Sequence, residues 1–302
     1  MVRSHRFSTR RHASAGLKWF LENDKVKGKA ADALSGVRKK ASVVGLPFIV
    51  IFLGIYVMPM AASLLYSMQD NRFSKSFVGI KNYLNIWQNR LFLHALSNTF
   101  IISMICVIAS MLTAVLICFC FECKGVKANS VLALLVLPMM LPSIAVTTIW
   151  KAVFQTSSFT GRQEGIFALT LLFLWKYSGT AIVLLYLGLR NIPEEIREAA
   201  QIDGAGAVRI YLQISIPIIK MHISLALVVL LMFALRLYKE SYLLFGEYPD
   251  ESLYMIQHYM SNHFIRMNSQ NVSVASASFI AISLTLYYLL SRAGSLRLNR
   301  KV

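Results

Sequence analysis

Six blocks of apolar residues set the terms for this chain. They run roughly over Val43–Met68, Thr99–Phe121, Val131–Phe154, Ile166–Leu189, Ile218–Tyr238 and Val272–Leu290. Each is long enough to cross a hydrocarbon core about 30 Å thick as a helix, and no backbone polar group can be left unpaired at that depth. The expected fold is therefore an all-α polytopic membrane protein with six transmembrane helices. With 56% of its residues hydrophobic and 15% charged, the chain departs from a soluble domain in the direction the spans require. The first block is too long, and its basic leader too extended, for a cleavable signal.

The placement of charge gives the orientation. Residues 1–42, 122–130, 190–221 and 291–302 hold 21 Lys and Arg, against eight in 69–98, 151–165 and 239–271. The excess belongs on the inside, so both termini are expected there. This also accounts for the net charge of +17: a basic tail beside anionic headgroups, with no fold or aromatic pattern for nucleic acid. Residues 1–42 and 291–302 read as basic cytoplasmic tails flanking a six-helix transmembrane domain over 43–290. GLKWFLENDKVKGKA (residues 16–30) fits either a short interfacial helix or a flexible tail.

Several chemistries are excluded. CFCFEC offers Cys118, Cys120 and Cys123 but no fourth metal ligand, so these residues and Cys106 read as small buried hydrophobes, with no metal site. His258 and His263 are five apart, off the spacing of a helical zinc pair. A membrane-embedded enzyme needs clustered nucleophiles, bases or ligands at depth, and the spans supply hydroxyls and Lys176 with no Asp or Glu to cluster with them. No carboxylate falls within these span boundaries, which leaves a proton relay without members. There is no phosphate loop, so any work driven by a nucleotide must draw its energy from another polypeptide.

The segment between spans four and five, residues 190–217, is expected to touch that polypeptide. Pro193 suits the start of a helix, Glu194 and Glu195 its positive end, and Gly204 a left-handed stop. Ile196, Ala199, Ala200 and Asp203 recur at three- and four-residue steps, forming a narrow face of small side chains. A second helix is expected over about 207–214, ending near Pro217. A docking helix and an inert amphipathic connector both fit this pattern.

EAAQIDGAGAVRIYLQISIP resembles the EAA loop of permease subunits of binding-protein-dependent ABC importers, and more narrowly the carbohydrate-importer type. Glu198, Ala199, Ala200, Asp203, Gly204, Ala205 and Pro217 match in order and spacing, with Ile216 where leucine is usual. FVGIKNY (Phe77–Tyr83), Asn98–Thr99, LPMMLPSIAVTTIWKAVF (Leu137–Phe154) and WKYSGTAIVLLYLGLRNIPEEIREAA are similar to further parts of such permeases. The outer segment 155–165 is shorter than in many of them. The resemblance implies the type I importer permease fold, and an ATP-binding cassette subunit that binds the ATP, so the chain needs no cofactor of its own. It also implies an extracytoplasmic solute-binding protein and a second permease chain, a heterodimer being expected and a homodimer open. Glu195, Ile196, Glu198, Ala199, Ala200, Asp203, Gly204, Ala205 and Pro217 become the coupling residues. An importer for a non-sugar solute is the alternative, and a passive channel would leave the loop without purpose.

Lys176 is the one charge set squarely in an apolar run, flanked by Trp175 and Tyr177. These three are candidates for the substrate pathway, unless Lys176 snorkels to an interface. Arg236, Lys239 and Glu240, at the outer end of span five, read as a solvated interfacial cluster, with gate or binding-protein contacts as the alternative.

Overall fold

The computed structural model describes residues 46–70, 76–124, 129–154 and 162–296. The N-terminal tail, the segment 16–30 and the last six residues lie outside these, as does most of the short outer segment. By its contacts the chain divides into residues 1–63 and 64–302. The described part of the first unit belongs to α1 (Leu46–Ser67), whose most apolar window has no residue buried inside the protein. One π turn, Leu53–Val57, interrupts it.

The second unit is built around α6 (Arg162–Arg190), the fourth span. Its residues Leu169, Leu172, Phe173, Ala181, Ile182 and Leu185 are fully buried, recurring at helical steps along one stripe. Against it pack α3 (Arg90–Lys124), α4 (Asn129–Met140) and α9 (Lys220–Ala234). At Gly179 the contact with α4 is so close that a Cβ would overlap the Leu135 carbonyl oxygen. Small residues give membrane helices this approach.

Two spans differ from their sequence outlines. The third is broken: α4 and α5 (Ser143–Phe154) meet at 99° across Leu141 and Pro142. Pro142 disfavours a helical conformation at Leu141 and has no N–H for the ladder. The fifth runs past Tyr238, through a turn at 235–237 into α10 (Tyr238–Phe245), so the apolar helical stretch is Lys220–Phe245. Five described helices are long and apolar enough to span, six counting the bent pair as one. The sixth is α12 (Ser269–Leu296).

The motifs between spans also acquire reasons. Gly79 adopts φ of 60° ahead of α2 (Lys81–Trp87). Asn82 then donates to the carbonyls of Ser67 and Gln69, and the Tyr83 hydroxyl lies 2.8 Å from that of Ser67. Asn98 donates to the Glu251 and Tyr254 carbonyls at 2.7 and 3.1 Å, and Thr99 accepts from the Ile256 amide. These bonds seat α11 (Ile256–Ile265) within the outer segment 239–271. His258 belongs to this framework: its Nδ1 accepts from the Met255 amide and its ring stands edge-on to Tyr238 at 4.8 Å.

The cysteine reading needs correction. Cys106 and Cys118 are buried, but Cys120 and Cys123 are exposed, because they stand on the opposite face of α3 near its end.

Candidate functional site

The loop after α6 forms α7 (Glu194–Ile202), with Pro193 as its N-cap and both Glu194 and Glu195 in the first turn. It ends in a closed cap. Asp203 is the capping residue, Gly204 turns to φ 76°, and two amides recover orphan carbonyls: Gly204 N–H to Gln201 O, and Ala205 N–H to Ala200 O at 2.9 Å. This Schellman arrangement favours glycine at the left-handed position. No atom lies within 4 Å of where a Cβ on Gly204 would sit, so the turn is open toward any partner.

The sequence placed one residue on the wrong side. Ala200 is only 8% exposed, the one buried residue of α7. Glu195, Ile196, Glu198, Ala199 and Asp203 are exposed and Ala205 is half-buried. Ile202 went unnoticed, yet it is 86% exposed, the most exposed large hydrophobic side chain described. An isoleucine standing free beside Asp203 and Gly204 was the available signal. Together Ile196, Ala199 and Ile202 give α7 an apolar outer surface rimmed by carboxylates.

The second loop helix, α8 (Ala207–Ile218), does not end at residue 214. A π turn over Tyr211–Ser215 carries it through Pro217, since the widened turn absorbs the hydrogen bond proline cannot make. Pro217 itself is exposed. Tyr211 fastens α8 to α3: its hydroxyl donates to Val115 O at 2.7 Å and its ring lies 5.1 Å from that of Phe119. So α7 is held by a stiff base rather than a slack loop.

A second cluster lies at membrane depth and corrects the statement that no span holds a carboxylate. Glu240 and Lys176 form an ion pair at 2.7 Å with side chains 3% and 4% exposed. Glu240 Oε1 also accepts from Ser143 Oγ at 2.9 Å and from the Tyr177 hydroxyl at 3.1 Å, while Lys176 donates to Ser143 Oγ. Tyr177 in turn stacks on Phe233 at 4.8 Å. Hydropathy ended span five too early, which cast Glu240 as solvated. The buried lysine is the counter-charge that makes its position tenable. The cluster joins spans four and five to Ser143 at the elbow of the broken third span.

Of the three pathway candidates, Lys176 and Tyr177 are engaged in this cluster. Trp175 faces elsewhere, 6.1 Å from Trp150 and edge-on to it, bordering a mostly apolar groove of about 590 Å³ with Pro138, Thr113 and Ser178.

With this geometry in view, likeness to known proteins is informative. Residues 108–302 match the family described as binding-protein-dependent transport system inner membrane component. The arabinooligosaccharides transport system permease protein AraP of Bacillus subtilis is 28% identical over 218 residues, covering 66% of this chain and 69% of that protein. The trehalose/maltose transport system permease protein MalF of Thermococcus litoralis is 26% identical over 270 residues, covering 81% and 90%. In structure, a chain of a bacterial ABC transporter that imports the acidic polysaccharide alginate superposes with a TM-score of 0.70 at 18% identity, over 84% of this chain and 94% of that one. The match spans α7, α8 and the last four transmembrane segments, and the chain belongs to the family of binding-protein-dependent transport system inner membrane components, a multi-pass transport subunit rather than an enzyme.

Proposed function

We propose that this chain is a transmembrane permease subunit of an ATP-driven importer that takes up a sugar or oligosaccharide delivered by an extracytoplasmic binding protein. The observation that carries the reading is α7, a capped helix with an apolar, acid-rimmed outer surface on a rigid base. With both termini inside, α7 stands at the cytoplasmic surface, where it fits a cleft on an ATP-binding cassette subunit. Ile196, Ala199 and Ile202 enter the cleft, Glu195, Glu198 and Asp203 meet polar groups at its rim, and Gly204 leaves room for the partner's backbone. Closure of two ATPase subunits on ATP then draws the α7 helices together and rocks the spans between inward- and outward-open states.

Carbohydrate is favoured by the names of the relatives, AraP and MalF among them. A second, related permease chain completes the pathway, a heterodimer in the first instance, with Trp175 beside the route and the Lys176–Glu240–Tyr177 cluster holding its wall.

The test is co-purification and uptake. Glu198→Lys reverses a charge on the outer rim, and recovery of the ATPase with the permease is expected to fall about tenfold. Undiminished recovery with normal uptake would overturn the docking role of α7. Thermal shift of the cognate binding protein against mono- and oligosaccharides, amino acids and polyols tests the solute: stabilisation by a non-sugar alone would overturn the carbohydrate assignment.

A further inference from the structure

The inward face of α7 is as specifically built as its outer one. Arg197, three residues before the buried Ala200, points back into the bundle. Its Nη2 donates to Leu189 O at 2.9 Å, in the last turn of the fourth span, and its Nε lies 3.1 Å from Glu122 Oε1. Glu122 is at the inner end of α3, the second span, and its side chain is 12% exposed. The same oxygen accepts from Ser215 Oγ at 2.7 Å, and Ser215 sits in the π turn that leads into the fifth span. One carboxylate therefore gathers the inner ends of the second, fourth and fifth spans under the helix that meets the ATPase.

We propose that Glu122, through Arg197 and Ser215, is a positioning residue that makes α7 and the second span one rigid body, so that displacement of α7 moves the second span without slip. This rests on the docking reading of α7. The geometry suits the task. The ion pair is braced by two charge-assisted hydrogen bonds, Ser215 to Glu122 and Arg197 to Leu189 O. These resist shear better than apolar contact, which is non-directional. A cation on the last carbonyls of α6 is also favoured by the helix dipole. Tyr211, bonded to Val115 O, supplies a second point of attachment along α3 and fixes the rotation of the joint.

The test uses the assembled complex of both permease chains and ATPase, with Cys120 and Cys123 replaced by serine. Spin labels on Gln201→Cys and Leu112→Cys, both exposed positions, report the distance between α7 and the second span without ligand and after trapping with ATP and vanadate. With Glu122 intact, one narrow distance is expected in both states. In Glu122→Gln the distribution should broaden about twofold on trapping as α7 slips, and Glu122→Asp should restore most of the narrow population. Arg197→Gln should reproduce the slip, which keeps the test open if Glu122→Gln does not assemble. Indistinguishable distances in Glu122→Gln or Arg197→Gln and the parent complex, in both states, would overturn the proposal.

Gly204→Trp is measured alongside. Loss of the ATPase from Gly204→Trp but not from Glu122→Gln separates docking from transmission. Retention by Gly204→Trp with normal uptake overturns the docking reading, and the joint with it.

Discussion

Replacing Lys176 with methionine tests the buried cluster most sharply. The change keeps side-chain length and removes the cation, leaving Glu240 inside with the Ser143 and Tyr177 hydroxyls as its donors among the described residues. Both charged side chains are under 5% exposed, so water cannot replace the lost ammonium. Removing one partner of a buried ion pair costs about 3–5 kcal/mol, whereas replacing both with apolar residues is about neutral. For a chain of this size that corresponds to a fall of roughly 10 °C in Tm. Lys176→Met is thus expected to lower the melting temperature of the detergent-solubilised complex by that amount, and Glu240→Leu to do the same. The double variant should recover most of the loss, because each substitution relieves the charge that the other strands. Tryptophan fluorescence during a thermal ramp, at matched detergent and protein concentration, gives all four values of the cycle. Single losses below about 1 kcal/mol, the scale of an exposed pair, or a double loss equal to the sum of the singles, would refute the assignment of a buried, mutually dependent pair.

Gly179→Leu should lose about 1–3 kcal/mol and separate α4 from α6, because the Leu135 carbonyl occupies the space a side chain needs; a Tm equal to that of the parent protein would show that the helices part easily. His258, on α11 outside the membrane-spanning helices, is held neutral by burial, which lowers its pKa from 6.5 to about 4 against the opposing Gly246 carbonyl. The unfolded chain binds a proton there that the folded chain refuses, so stability should decline as pH falls from about 6.5 toward 4, by roughly 3 kcal/mol when complete; His258→Phe should flatten that decline, and an identical pH profile would refute the cause. Trp175→Ala should raise the KM for uptake about tenfold with assembly unchanged if the indole borders the route, as its place on the groove suggests; an unaltered KM would remove it from the pathway.

Apolar run length marks where a chain can cross hydrocarbon, because burial there leaves a one-dimensional trace, yet it ended the fifth span at Tyr238 where the helical stretch runs to Phe245. The cap of α7 was equally legible, since Gly204 announces a positive φ. What the sequence concealed depends on which groups meet in space. Glu240 lies beyond the last strongly apolar residues of span five, and Lys176 is 64 positions earlier; neither position carries a sign that the other neutralises it. Glu122 sits among CFCFEC, where a cysteine pattern drew the eye, and its partners Arg197 and Ser215 come from a different loop. Ala200 looked like part of the docking face because small residues suit either side of a helix, and only its burial in the folded chain decides between them. The elbow at Pro142 was hidden in a block that reads as one continuous span over Val131–Phe154 and bends by 99° in the structure.

The claim on which the rest depends is that the outer surface of α7 enters the ATPase subunit. A photo-reactive side chain at Ile202, irradiated in the complete complex, tests it most directly. The account predicts an adduct with the ATPase, lost when α7 carries Gly204→Trp. An Ile202 position that labels only lipid or the permease itself, while the ATPase is present in full stoichiometry, would contradict it.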